Sequence, residues 1–167
     1  MYVLNPITSL ATTQPLNNNT TTTINPDLEV ESITNAFGEP FYILNDSKNT
    51  GHEVIGLDPQ QTKSSYIAQG NMQGLGNVTE YGIFITTYSS PISSSVGKGL
   101  IVKGDQVVTF TAQDIGSYDK DGNLLLKGAI NFESDDPEMS KINGKMGFYI
   151  YWESTNGTYW TKTWLWD

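Results

Sequence analysis

The chain has 167 residues, 37 % of them hydrophobic, a length that fits one domain and a hydrophobic share low enough to predict a tail outside its core. Eighteen acidic and nine basic residues, all nine of them lysines, give a net charge of −9. Neither nucleic acid nor an anionic membrane surface is an expected partner, because both need clustered cations. The chain contains no cysteine, which excludes disulfides and thiolate chemistry, and it lacks an apolar run of about 18 residues for membrane insertion.

Residues 1–37 are predicted to form a flexible Thr/Asn-rich leader or tether. The stretch around Thr20–Thr23 is polar and aperiodic, and no charged residue precedes Asp27, so it cannot bury enough surface to offset its ordering entropy. Residues 2–10 alone have strand-forming character. They predict a self-assembling subunit, and hence a homo-oligomer, in which this segment adds a strand to a neighbouring copy.

The first residues lack the basic and apolar regions of a signal peptide, so none is expected within this chain. Two alternatives stay open: the protein remains inside the cell, or the chain begins after a cleaved signal with Met1 added. Thr/Asn-rich linkers often follow a cleaved signal or anchor. We therefore expect an extracellular or cell-surface protein.

Beyond residue 38, alternating segments separated by turn signals predict eight strands or, as the alternative, nine. The predicted strand segments are Phe41–Leu44, Val54–Leu57, 62–75, 78–88, 97–103, Val107–Ala112, Leu124–Leu126, 145–153 and 158–166. Gly104-Asp105 and Asn156-Gly157 are two-residue hairpin signals. Asp136 before Pro137 predicts one short helical turn near 136–141.

Alternation along these segments is typical of antiparallel sheets with one polar face. Residues 145–153, for example, place Phe148 and Ile150 on one face and Tyr149 and Tyr151 on the other. Glycines inside the strands fit the strong coiling that barrel closure requires. The sequence therefore predicts an all-β domain over 38–167, an eight-stranded antiparallel up-and-down barrel.

Several segments, in order and at matching spacing, resemble a family of small uncharacterised archaeal and bacterial secreted barrels related in fold to allene oxide cyclase and dirigent proteins. The matching segments are 38–42, 65–70, 97–101, Gly104-Asp105, Gly116, 127–132, 142–144 and 162–166. The resemblance implies an eight-stranded barrel, often exported, without an established activity. The family tends to end in Trp-Glu-Trp, whereas this chain has Trp164-Leu165-Trp166. Leu165 thus cannot act as an acid. The functional residues of the barrel enzymes do not align with residues of this chain, so the resemblance implies no site residue here.

The sequence contains no recognisable catalytic set. His52 is the only histidine, and it has no nucleophile elbow to serve, so it is predicted to be an ordinary surface histidine. No catalytic residue and no cofactor is predicted.

Two acidic segments are weak candidates for a metal site. Asp119, Asp121 and Asn123 have the first spacings of a calcium loop, but the required glycine and glutamate are absent, and a hairpin turn explains the same residues. Asp135 and Asp136 could hold a cation with a neighbouring loop, or could simply cap the predicted helical turn.

Four tryptophans are candidate ligand-facing aromatics: Trp152, Trp160, Trp164 and Trp166. The last three share one strand face with Lys162. Three interpretations stay open, namely core filling, a ligand pocket and an exposed platform for stacking on a sugar.

Five Asn-x-Ser/Thr sequons occur, at Asn18, Asn19, Asn45, Asn77 and Asn156. Three of them fall at predicted turns or strand ends, where a glycan can be attached without a clash. They are candidate glycosylation sites if the protein is exported by a cell that glycosylates.

The leading functional hypothesis is a non-catalytic extracellular barrel that binds a small apolar or sugar ligand or serves as a cell-surface component. The first alternative is a pocket-guided isomerase or cyclase, which works by the shape of its cavity. The second is the self-assembling subunit. A lined cavity of several hundred cubic ångströms favours the isomerase or cyclase, whereas a barrel packed solid with aromatic and aliphatic side chains excludes it.

Overall fold

The computed structural model describes residues 25–89 and 91–166 and shows a closed antiparallel barrel of eight strands, which confirms the predicted fold class. Consecutive strands are neighbours, and β8 pairs with β1 to close the barrel. The elements are α1 (Pro26–Phe37), β1 (Tyr42–Leu57), β2 (Gln60–Met72), β3 (Gly76–Ser89), β4 (Ile92–Lys103), β5 (Gln106–Tyr118), β6 (Leu124–Glu133), a 3₁₀ turn (Pro137–Met139), β7 (Met146–Glu153) and β8 (Tyr159–Leu165). Across these described ranges, no helix has the length and apolar character needed to cross a membrane.

The first two predicted strands are one continuous strand, β1, so the alternative of nine strands is wrong. Three bulges interrupt its pairing with β2, at 44–46, 49–51 and 54–56. Each bulge adds one residue and so changes which residues point inward: Leu44 is followed on the inner side by Ser47 and Asn49, and then by His52. Asn45 is the extra residue of the first bulge, and Asp46 and Ser47 after it pair with β2, so these polar residues continue the strand.

One end of the barrel is filled with apolar side chains. The most deeply buried of these are Met72, Val78, Ile101, Val108, Phe132, Met139 and Ile142. Two of them belong to the connection between β6 and β7, which folds under this end. Its 3₁₀ turn begins where Asp136 accepts a hydrogen bond from the Glu138 backbone N–H at 2.9 Å, which confirms the predicted helical turn.

Within the predicted leader, Pro26–Phe37 form helix α1. Asn25 caps the helix by accepting from the Asp27 backbone N–H at 3.2 Å, and Pro26 occupies the first turn, where its missing N–H costs nothing. Gly38, with φ of 83°, ends the helix. The polar, aperiodic segment before this short helix led to the prediction of a leader over both. Residues 2–10, the predicted added strand, lie outside the described residues.

Helix α1 lies on the outer face of β6, β7 and β8. Val30 and Ile33 pack on that face, and the ring of Phe37 meets that of Phe148 edge-on, with centroids 4.8 Å apart. At the edge of this contact Glu29 forms an ion pair with Lys127 of β6 at 2.8 Å. The helix thus covers one side of the barrel and leaves its open end free.

Candidate functional site

The barrel encloses a cavity of about 560 Å³ above its packed end. All eight strands contribute inward-facing side chains, and the cavity reaches solvent at the opposite end, where Asn49, His52 and Tyr118 are exposed. Its deeper walls are mainly aromatic and aliphatic: Tyr42, Leu44, Tyr66, Ala68, Phe84, Phe110, Ala112, Leu126, Ile130, Tyr149 and Tyr151. The interior is therefore hollow, as ligand binding requires.

Glu80 on β3 is a buried carboxyl in this cavity, only 3 % exposed. Its Oε2 accepts from the Tyr42 hydroxyl at 2.9 Å, and its Oε1 accepts from the Tyr66 hydroxyl at 2.5 Å. Burial raises the pKa of Glu80 to about 7, although both tyrosine hydrogen bonds act to lower it. The group therefore changes charge near neutral pH inside an apolar wall.

Asp114 on β5 is the second buried carboxyl, and it is only half satisfied. Its Oδ2 accepts from the Tyr149 hydroxyl at 2.6 Å, whereas its Oδ1 has no hydrogen-bond partner within the described part of the chain. Ser95 lies directly opposite on β4 and shares a hydrogen bond with Thr86 at 3.1 Å. Burial raises the pKa of Asp114, while the Tyr149 and Ser95 hydroxyls oppose that effect.

Inward-facing glycines determine where the tyrosines of this network lie. Tyr66 is opposite Gly82 on the next strand, and Tyr149 is opposite Gly128. A Cβ on Gly82 would come within 2.4 Å of the Tyr66 ring, and one on Gly128 within 2.6 Å of the Tyr149 ring. Each ring thus lies flat over the neighbouring strand, which aims its hydroxyl at a carboxyl and leaves the centre of the barrel open.

The rim of the cavity carries a further set of polar contacts. The Tyr151 hydroxyl donates to Glu153 at 2.7 Å, and the Tyr159 hydroxyl donates to the Ser47 carbonyl at 2.7 Å. His52 Nδ1 lies 2.8 Å from the Ser64 hydroxyl, so the predicted surface histidine is exposed but lies at the mouth of the cavity. Among the described residues, the lining contains three carboxyl groups and no lysine.

None of the four tryptophans lines this cavity. They do share one face, but it is the outer one. Trp164 is 1 % exposed, stacks on Phe148 with centroids 5.8 Å apart, and donates from Nε1 to the Gly38 carbonyl at 3.0 Å. Core filling is the correct interpretation for Trp164, in a core between barrel and helix.

The other three tryptophans occupy less buried positions on the same side. Trp152 and Trp160 face each other across β7 and β8 with centroids 6.0 Å apart. Lys162 lies over Trp160, its Nζ 4.7 Å from the ring centroid, so this lysine is outside the barrel. Trp166 is 61 % exposed.

The candidate metal residues serve as turn and cap residues. Asp119 Oδ1 accepts from the backbone N–H groups of Asp121 and Asn123, both at 2.9 Å, as the hairpin-turn interpretation expects. Asp135 and Asp136 lie beside the 3₁₀ turn at the packed end. Over the described ranges, no three His, Asp or Glu side chains are grouped to hold a metal ion.

The candidate glycosylation residues that the structure describes are all exposed. Asn45 lies in the first bulge of β1, Asn77 near the start of β3, and Asn156 in the turn between β7 and β8. Asn18 and Asn19 lie outside the described residues. Glycosylation of these residues stays a prediction.

Comparison with protein-family models, with curated proteins and with solved structures found no match for this chain. The resemblance to the secreted barrels related in fold to allene oxide cyclase therefore stays a prediction.

Sequence reasoning missed Glu80 and Asp114, the two carboxyls that define the cavity. Both were detectable from alternation, because each interrupts an inward face that is otherwise apolar. Val78 and Phe84 flank Glu80 at even spacing, and Phe110 precedes Asp114 in the same way. An acidic residue at such a position indicates a buried polar site rather than solvent exposure.

Proposed function

We propose that this protein is a non-catalytic extracellular or cell-surface barrel that binds a small, largely apolar molecule in its cavity. The observation that carries the proposal is the cavity of about 560 Å³, a size within the usual range of ligand pockets, roughly 300–1,000 Å³. Its walls are mainly aromatic and aliphatic, with a few buried polar groups. This combination is typical of sites that gain affinity from apolar contact and orientation from hydrogen bonds.

The contrast with the packed end argues against a mere packing defect. At the packed end, Met72, Val108 and Phe132 are fully buried inside the barrel, each with 0 % exposure. Large apolar side chains therefore occupy the interior at that end. In the walls of the cavity, glycines and small residues such as Ala68 and Ala112 occupy inward positions instead. Desolvating Glu80 and Asp114 in this region costs stability, and the proposed function accounts for that cost.

Dye binding tests the proposal. The neutral fluorescent probe N-phenyl-1-naphthylamine should bind the full chain with enhanced, blue-shifted emission. Ala112→Phe places a ring inside the cavity and should reduce the affinity at least about tenfold, because the occupied volume is lost. Gln113→Phe is the matched control, since the next residue on β5 is exposed on the outside, and it should bind as the native chain does. Absence of dye binding to the native chain, or equal loss in both variants, would contradict the proposal.

One observation favours the isomerase alternative as a second candidate. Glu80 has its pKa raised to about 7, which is where a general acid or base is most effective at neutral pH. Both of its oxygens are engaged by tyrosine hydroxyls, which favours a structural role. Molecules extracted from the purified protein before and after incubation can be compared by chiral chromatography and mass spectrometry. Conversion that is abolished in Glu80→Gln would establish catalysis, and unchanged molecules would exclude it.

A further inference from the structure

We infer that the ligand of this cavity is an organic cation, an apolar body carrying a protonated amine that binds the free carboxylate oxygen of Asp114. This inference rests on the proposed ligand-binding function and specifies the chemical class of the ligand.

The hydrogen bonds of the two deep carboxyls, Glu80 and Asp114, indicate that Asp114 is the one that binds the amine. Both Glu80 oxygens already accept from tyrosine hydroxyls. Asp114 Oδ2 accepts from Tyr149, and the Ser95 hydroxyl also acts on this carboxyl, but Asp114 Oδ1 is buried and forms no hydrogen bond within the described residues. A buried carboxylate oxygen left unpaired is costly. An ammonium group supplies up to three donors and the opposite charge, and so removes that cost.

Several aromatic rings line the same cavity as Asp114. Tyr149 contacts Asp114 directly. Phe110 faces inward on β5, four residues before Asp114. Tyr66 and Phe84 lie stacked on the adjoining wall with centroids 6.2 Å apart. Ring faces attract a cation electrostatically, so the same wall that accepts an apolar body also favours a positive charge at its polar end.

The charges that line the cavity disfavour an anion. Glu80 and Asp114 lie in its depth and Glu153 at the rim, whereas His52 is the only lining residue in the described part of the chain that can become positive. A carboxylate or phosphate ligand would face like charges in a low-dielectric wall, without a lysine to neutralise it. The cavity thus discriminates by charge as well as by size.

Three probes with one ring system test the inference: 2-(1-naphthyl)ethylamine, 2-(1-naphthyl)ethanol and 1-naphthylacetate, titrated calorimetrically into the full chain at neutral pH. The amine should bind at least about tenfold more tightly than the alcohol, since a desolvated charge pair adds to the apolar contact. The acetate should not bind. Asp114→Asn should lower the affinity for the amine about tenfold or more and change that for the alcohol less than about threefold.

The control is Asp105→Asn, an exposed substitution in the turn between β4 and β5 at the packed end, which should leave all three affinities unchanged. If the acetate binds as well as the amine, or the amine is unaffected in folded Asp114→Asn, the inference is overturned. The comparison of amine with acetate on the native chain decides the question even if Asp114→Asn fails to fold. If N-phenyl-1-naphthylamine binds but the amine does not, the inference fails while the proposed function stands. If neither binds, both fail.

Discussion

Strands β7 and β8 carry aromatic residues on both faces, and the two faces use them differently. On the outer face, Trp164 stacks on Phe148 beneath helix α1. On the inner face, Tyr149 and Tyr151 extend into the cavity and donate to carboxyl groups. The residue types match these settings, because an indole contributes a large apolar area to a dry contact, whereas a phenol has a polar end that can satisfy a buried acid. The outer face holds the fold together, and the inner face forms the site.

The largest expected effect comes from breaking the outer face. Trp164→Ala should lower the free energy of unfolding by about 3–5 kcal/mol, because it removes a fully buried indole and leaves a cavity between barrel and helix. Urea denaturation measures this loss. The folded fraction should still bind N-phenyl-1-naphthylamine with native affinity, since Trp164 does not line the cavity.

Trp166→Ala is the matched control, since Trp166 is 61 % exposed, and it should change stability by less than about 0.5 kcal/mol. Equal effects of the two substitutions, or loss of dye binding in folded Trp164→Ala, would contradict the division of roles between the faces.

The inner face should make stability depend on pH. Burial raises the pKa of Glu80 from 4.5 to about 7, so between these values the folded state holds a proton that the unfolded state has released. The free energy of unfolding should therefore fall as pH rises from about 4.5 to about 7, by about 3 kcal/mol from this group. Asp114, whose pKa is also raised by burial, contributes in the same direction.

Denaturation curves at pH 5, 6, 7 and 8 measure this dependence. Glu80→Gln should flatten it, because the variant has no charge to bury, while the part due to Asp114 remains. Glu133→Gln, at an exposed position, should retain the native slope. A native chain whose stability rises across this range would show that Glu80 is not held as described.

Gly128→Ala should lower both the stability of the protein and its affinity for the dye. The added Cβ would lie 2.5 Å from the Gln113 carbonyl and 2.6 Å from the Tyr149 ring, so the ring must move away from Asp114. We expect a loss of about 1–3 kcal/mol in stability together with weaker dye binding, measured by denaturation and by fluorescence titration. Native affinity in this variant would mean that the position of Tyr149 does not shape the cavity.

The smallest effect should come from the edge of the helix contact. Glu29 and Lys127 form an ion pair at 2.8 Å, but their side chains are 42 % and 51 % exposed, so solvent screens the attraction. A double-mutant cycle with Glu29→Gln and Lys127→Met should give a coupling below about 1 kcal/mol. A larger coupling would show that charge, rather than the packing of Val30 and Ile33, holds α1 on the barrel.

The all-β class, the antiparallel barrel and its hairpins were predictable because alternation and turn residues are local signals. Asn156-Gly157 and Gly104-Asp105 mark their turns by backbone geometry alone. Alternation also placed Trp160 and Trp164 on one face. It could not identify which face points inward, since that depends on what covers the other side.

Helix α1 covers this outer side, and the helix could not be predicted from its short sequence. Val30, Ile33 and Phe37 form an apolar stripe only once the helix exists, and the stripe needs the distant Phe148 to pack against. The buried carboxyls of the cavity, Glu80 and Asp114, were not predicted for a related reason. The partners of Glu80 include Tyr42, 38 residues away along the chain, whose ring reaches Glu80 across Gly70 of the intervening strand β2.

The closure of the barrel between β1 and β8 is short. Their ladder runs only from Tyr42 opposite Thr163 to Leu44 opposite Thr161, whereas β1 stays paired with β2 up to Leu57. Towards the mouth, the hydroxyl of Tyr159 bonded to the Ser47 carbonyl replaces backbone pairing across this gap. The wall can therefore widen here by breaking side-chain contacts instead of a full ladder. Amide hydrogen exchange should therefore be fastest along this line.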